Sequence, residues 1–346
     1  MRKPNMKKSL ATLAFTALAL AATLITGLIN KYSASAKGGL TPSHASISTS
    51  PAANASSTAA SFAAQTTGVV LPPTNIYALN TDNTLFVRAA GAISFTRLVH
   101  VTNIDGNLIG IDFRVADGLL YGLTDTGSIY TINLDATGLG AATLVSNLTP
   151  RFAGGVQSLF DFNPVLNAIR IIGSNDQNFA VVNSGGNLDT TAVQTAVAYA
   201  AGDVNEGVDP NIAAGAYTNN YVGAKTTLFY GIDYDLDTLV TVPPATPGGS
   251  SATGGGQLQT IGPLVTPRGK PINVSSTADI DIYTDANLVN TIIGVSGRTL
   301  FTIDLSQIDP NLALGTTQNV VVRGIAMPET GGSFIDIAVQ PLPATP

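Results

Sequence analysis

The chain of 346 residues contains no cysteine and no tryptophan, only two histidines, and only two glutamates among its 22 acids. Without cysteine there is no disulfide framework, no thiolate metal site, no cysteine nucleophile and no lipidated N-terminal cysteine. Charged residues make up 11%, too few of the Glu, Lys and Arg that coat helix surfaces, which argues against a helical protein. What is abundant is Gly, at 35, with Pro at 19. These are the turn residues that a chain of many short strands needs.

The N-terminus reads as an address. Arg2, Lys3, Lys7 and Lys8 precede an apolar run over 10–29, and Ser33-Ala34-Ser35-Ala36 follows. A basic region, an apolar core and small residues at a cleavage site describe a secretory signal peptide over 1–36, cut near Ala36. The apolar run is also long enough to span a bilayer, so an uncleaved N-terminal membrane anchor is the competing reading. Either places the rest of the chain outside the cytoplasm, secreted or at the cell surface. Residues 37–73 are rich in Ala, Ser and Thr with few large side chains. Such a stretch buries too little apolar area to offset its ordering entropy and is expected to be a disordered linker. Cleavage would remove five bases and no acid, leaving 11 bases against 22 acids. That field repels nucleic acid and anionic lipid, so the expected partner is a protein or a glycan, and the chain is expected to be a monomer.

From residue 74 to 346 the pattern is period-2 alternation broken by Gly, Asn, Asp and Pro. IYTINL (129–134), AIRIIG (168–173) and TLVTV (238–242) have strand composition at strand length. The runs fall into a repeated four-strand unit, clearest over 108–148, where Asp-Gly at 117–118 and Asp-Thr-Gly at 125–127 mark hairpin turns. Further units cover 158–200, 213–262 and 278–325. The first structured segment, 75–102, supplies only three strands, and 333–340 is a lone strand. The last strand therefore completes the first unit. The expected fold is all-β, a β-propeller of five four-stranded blades closed by the C-terminal strand; a further blade hidden in 241–277 would make six.

GIDFR (110–114), FDFNP (160–164), QNF (177–179), the AGD-N-G pattern (201–207) and AAGAYTN (213–219) occur in this order. Over about 75–340 the chain resembles a secreted bacterial family known as domain of unknown function 4394. The resemblance implies a propeller-like β fold and an extracytoplasmic location. It brings no activity and no catalytic residue.

Candidate chemistry is sparse. His100 is the sole histidine after the linker and sits in an alternating strand without a Gly-x-Ser-x-Gly turn to accompany it. The Gly run at 254–256 lacks the Lys of a phosphate cradle. Asp112, Asp161, Asp281 and Asp336 recur at one position of the first strands, with Ala216 there in the fourth unit. Innermost strands line a propeller channel, so these carboxylates either bond backbone N–H groups at the blade junctions or form a ring that holds a cation. The loop over 202–211 is rich in oxygen ligands, and Asp203, Asn205 and Asp209 are candidate calcium ligands, although the EF-hand Gly and Glu are missing. The alternative is a connection that caps its own backbone. Arg114 and Arg170 are expected to pair with the repeated aspartates; the alternative is that they hold an anionic ligand. Calcium is the one cofactor this pattern suggests. The reading that follows is a non-enzymatic binding or scaffolding module of the cell envelope. Its rivals are an extracellular hydrolase or lyase using channel carboxylates with a divalent cation, and a purely structural envelope protein.

Overall fold

The computed structural model describes residues 69, 71–184, 187–246, 248–251, 255–327 and 333–342. The leader, most of the linker and His44 lie outside the described residues. In chain order the strands are β1 (Ile76–Asn80), β2 (Thr84–Arg88), β3 (Thr96–His100), β4 (Leu108–Arg114), β5 (Leu119–Thr124), β6 (Ser128–Ile132), β7 (Ala142–Asn147), β8 (Ser158–Asn163), β9 (Ala168–Gly173), β10 (Asn178–Ser184), β11 (Asn187–Val193), β12 (Ala198–Tyr199), β13 (Ile212–Tyr217), β14 (Phe229–Asp233), β15 (Thr238–Val242), β16 (Gln257–Val265), β17 (Asp279–Thr284), β18 (Asn290–Ser296), β19 (Thr299–Asp304), β20 (Val320–Ala326) and β21 (Phe334–Val339). A short 3-10 turn covers Leu305–Gln307.

They group into five antiparallel units of four: β21-β1-β2-β3, β4-β5-β6-β7, β8-β9-β10-β11, β13-β14-β15-β16 and β17-β18-β19-β20. The C-terminal β21 pairs with β1, Ile76 opposite Val339 and Leu79 opposite Asp336. Five apolar clusters among the described residues each bridge two units. The first and second share Leu79, Ile111 and Phe113; the second and third share Leu123, Phe160 and Ile171; the third and fourth share Leu159, Ile172 and Phe229. The fourth and fifth share Ile261, Ile280 and Phe301, and the fifth and first share Ile293, Phe334 and Ile337. The contacts thus run in a closed cycle, and the fold is a β-propeller. The inner and second strands of the units are buried almost along their length, because each unit packs between two others, whereas the outer strands β3 and β7 are largely exposed.

Three details differ from the alternation pattern. The fourth strand of the third unit is β11, not the VQTAVAYA run (193–200) that ends the unit expected over 158–200; Ala198–Tyr199 pairs in parallel with β16 instead. NLDTTAV is a polar edge strand, which alternation of large apolar residues does not reveal. Leu71 and Pro72, assigned to the linker, belong to the fold: Leu71 packs on the cluster between the fifth and first units, and the Pro72 carbonyl accepts from Arg88 Nη1 at 3.1 Å. The stretch 243–278 contributes a single strand, β16, among its described residues.

That strand joins two units. Leu264 and Val265 pair in parallel with Val320 and Val321 at the outer edges of the fourth and fifth units. Gly262 permits the approach. Its φ is +152°, and a Cβ there would lie 1.9 Å from the Gln318 carbonyl oxygen. Gly262→Ala is expected to lose about 3 kcal/mol, since both backbone strain and a backbone clash are imposed. Gly91, at φ +77° with open space around it, is the control, and its Ala variant should lose about 1 kcal/mol. Urea unfolding midpoints compare the two; equal losses would mean that the close approach is not what matters.

Candidate functional site: a buried carboxylate cluster

The inner strands β21, β4, β8, β13 and β17 each carry an edge unpaired by their own sheet. Backbone donors there must find acceptors elsewhere. The repeated aspartates supply them, always on the next unit. Asp336 accepts from Ile111 N at 2.9 Å, Asp112 from Phe162 N at 2.8 Å and Asp161 from Tyr217 N at 3.0 Å. From the fifth unit, Asp281 accepts from Val339 N at 2.6 Å and Asp279 from Ile337 N at 3.1 Å. Asp279 was not evident from the repeat. The signal for it was DIDIY, where residues two apart share a strand face.

The fourth unit has Ala216 and makes no such bond to the fifth. Asn219 and Asn290 close that junction instead. Asn219 N donates to Asn290 Oδ1 at 2.8 Å, and Asn290 Nδ2 donates to Asn219 Oδ1 at 3.0 Å. Asn220 N donates to Thr284 Oγ1 at 2.9 Å beside them.

The straps gather carboxyl groups. One oxygen each from Asp112, Asp161 and Asp281 lie within 4.8 Å of one another. All five aspartates are at most 4% exposed. Among the described residues the one ion pair is Arg114 with Asp117, at 2.8 Å, so no basic side chain neutralises the cluster. Burial raises the carboxyls of Asp112, Asp161, Asp279 and Asp336 well above the ordinary range, and the charges of neighbouring aspartates add to it. Asp281 is pushed up to about 6 by burial, against the pull of its two backbone bonds. Asp336 Oδ2 has no donor of its own; a proton on either Asp336 or Asp279 would turn their approach into a hydrogen bond.

The expected arginine pairs do not form. Arg114 bonds Asp117, Tyr121 and Asn167, tying the β4–β5 hairpin to the third unit. Arg170 is fully buried, stacks 4.4 Å above the Phe229 ring and donates to the Gly255 carbonyl. Its Nε and Nη1 have no partner.

In the 202–211 loop, Asp203 is buried, and its two oxygens accept from Thr260 N at 2.7 Å, Thr260 Oγ1 at 2.7 Å and Asn205 N at 2.9 Å. Asn205 turns its amide nitrogen to Thr260 Oγ1. Asp209 is exposed and near Asp176, whose carboxyl is raised by burial and by that charge. Asp203 and Asn205 thus make the bonds of a turn that caps itself and docks on β16. His100 is exposed at the end of the outer strand β3.

A separate cleft of about 430 Å³ opens at the junction of the fourth and fifth units. Asn219, Tyr230, Leu288, Asn290, Ser306 and Asn311 are among its lining, which includes no charged side chain. Leu288, 57% exposed, is held at φ +64°. That conformation is costly for a branched side chain, and strain of this kind gathers at functional sites.

The family model described as "Domain of unknown function (DUF4394)" matches residues 84–326. The chain belongs to this family. The match includes Asp112, Asp161, Asp279 and Asp281 and stops before the closing strand with Asp336. No curated protein matches the chain. Among solved structures, the crystal structure of a nidogen/laminin complex is similar at 12% identity, with 77% of this chain and 97% of that chain covered and a TM-score of 0.42. The β-propeller domain of Cps50 (Swd1) from Myceliophteria thermophila is similar at 10% identity, with 73% and 72% covered and a TM-score of 0.39.

Two outcomes follow for protein kept in chelator. Asp161→Ala strands the buried Tyr217 N–H and should cost about 1–3 kcal/mol, whereas Asp161→Asn keeps an acceptor and sheds a buried charge, so it should stay within about 1 kcal/mol of wild type. The pH dependence has an unusual sign. A carboxyl whose folded pKa exceeds its unfolded value keeps its proton longer in the folded state, so stability falls as pH rises between the two values. For Asp281 the window runs from the ordinary 3.8 to about 6, and the other four carry the loss further upward. Unfolding midpoints from pH 4 to 8 should decline through this window; a flat or rising profile would show that folding does not raise these carboxyls.

Proposed function

We propose that the chain is a non-enzymatic binding or scaffolding module of the cell envelope, and that it holds an uncharged polypeptide segment in the cleft between its fourth and fifth units. The cleft carries this reading. Its volume, about 430 Å³, lies in the range of preformed ligand pockets. Amide and hydroxyl groups on its walls match a peptide backbone, and Leu288 and Val289, both exposed, offer apolar contact. The exposed large hydrophobic side chains of the described residues are aliphatic, none aromatic. Sugar rings favour aromatic platforms, so a peptide is the better match than a glycan. Placement outside the cytoplasm rests on the N-terminal pattern of the sequence.

The central aspartates support a hydrolase poorly. Each is buried and engaged with backbone N–H groups, whereas a glycosidase pair must flank its substrate.

The test is selection of a phage-displayed random peptide library on the immobilised full chain. Enriched peptides should be rich in aliphatic residues and poor in charge. They should bind Leu288→Asp and Val289→Asp variants at least about tenfold more weakly, a loss of the size expected for a central interface contact, with unchanged thermal midpoints. Failure to enrich any sequence, or binding that survives both substitutions, would overturn the reading. Binding of neutral oligosaccharides that both substitutions abolish would replace the peptide by a glycan.

A further inference from the structure

We propose that Asp112, Asp161 and Asp281, on the inner strands of the second, third and fifth units, hold a divalent cation of calcium size at the centre of the ring. The inference is independent of the cleft and of any ligand there.

Three observations carry it. The first is spacing. The three oxygens lie within 4.8 Å of one another, close enough for all three to bind one Ca²⁺ with bonds of about 2.4 Å. The second is uncompensated charge. Among the described residues the five buried aspartates form no ion pair, and Arg170, opposite Asp161 in the β8–β9 register, is spent on Phe229 and Gly255. Buried carboxylates are tolerated when paired, protonated or bound to metal. The third is an oxygen without a partner. Asp336 is 1% exposed, yet its Oδ2 accepts no hydrogen bond. It lies 3.4 Å from the point where a Cβ on Gly110 would stand, and Gly110 shares a strand face with Asp112. It therefore lies beside the three ligating oxygens, one strand step away and outside the group they form.

The straps do not compete with the ion. A carboxylate has about four lone-pair sites, and each ligating aspartate uses one or two of them on backbone N–H groups. Those bonds fix the carboxylates in place, as supporting contacts do in metal sites generally.

The experiment uses the purified full chain. Metal content is read by plasma mass spectrometry after dialysis against metal-free buffer at pH 7.5, and thermal unfolding is followed in EDTA and then in excess Ca²⁺. Either close to one calcium per chain after dialysis or a midpoint raised by at least about 5 °C over the EDTA sample is expected, since a ligand confined to the folded state stabilises it by mass action. Asp161→Asn and Asp281→Asn keep the strap acceptors and should lower calcium affinity by calorimetry at least tenfold, while Asp209→Asn leaves it unchanged. Protein that carries no metal and whose midpoint Ca²⁺ does not move would overturn the proposal and leave protonation as the resolution of the cluster. Calcium binding lost in Asp209→Asn but kept in Asp281→Asn would also overturn it, by placing the ion in the 202–211 loop. The wild-type readings stand even if neither cluster variant folds.

Discussion

Each inner strand of the ring presents backbone N–H groups that its own sheet leaves unpaired, and the structure depends on how these are met. A buried donor without an acceptor costs about 1–3 kcal/mol, and a cyclic fold repeats that cost at every junction. At four of the five junctions aspartates answer it, reaching from one unit to the N–H of the next, as Asp112 does to Phe162 and Asp161 to Tyr217. The solution brings its own difficulty. Inner strands converge, so acceptors placed on them converge too, and the groups that close the ring become a cluster of buried acids.

The fourth junction shows what happens when the aspartate is absent. Ala216 has no acceptor to offer, and the load moves outward. Asn219 and Asn290 bond reciprocally at the loop end, and β16 pairs in parallel with β20 at the outer rim. A junction tied at the loop end and at the rim rather than by an inner strap leaves room, and the cleft lined by Asn219, Tyr230 and Asn290 opens there. The departure from the repeat and the neutral cleft thus coincide. Residues Asp285–Val289 turn back on themselves there through bonds to the Asp285 carboxylate, at 2.8 Å from both Asn287 N and Val289 N, and that turn holds Leu288 out at positive φ.

Local chemistry made the ring legible from sequence. Alternating Val, Ile, Tyr and Phe mark strands, Gly at hairpins marks their ends, and a unit short of one strand together with a lone terminal strand implies closure. The repeated Asp was visible because it recurs at one position in the second, third and fifth units, with Ala216 there in the fourth; Asp336, aligned with them by the sequence, stands one strand step away, where it meets Ile111 N ahead of Asp112 as Asp279 meets Ile337 N. Asp279 was not, because aligning units looks for one residue at one position, and its partner Ile337 lies 58 residues away. The parallel β16–β20 contact was equally hidden: two paired positions leave no periodic trace, and the feature that allows them is a single glycine. Arg170 shows the limit most plainly. A base opposite an acid in register reads as an ion pair, but whether the guanidinium turns to Asp161 or to the Phe229 ring is decided by packing between units, which no local pattern encodes.

The chain has no cysteine, so nothing covalent closes the ring. Closure rests on the β21–β1 ladder, on five apolar clusters and on the carboxylate straps. Of these the straps alone are sensitive to charge, because their acceptors repel one another as they ionise. Protons relieve that repulsion below neutrality, but each proton removes an acceptor site as it adds a donor. A cation relieves it without adding a donor: each ligating carboxylate gives it one lone pair and keeps the others for the backbone, and ligands from the second, third and fifth units meet at one point. In a fold whose inner strands are otherwise joined only to their neighbours, such an ion would link the fifth unit to the second and third, which are neighbours of each other but not of the fifth, and it would do so where the repeated aspartates already converge.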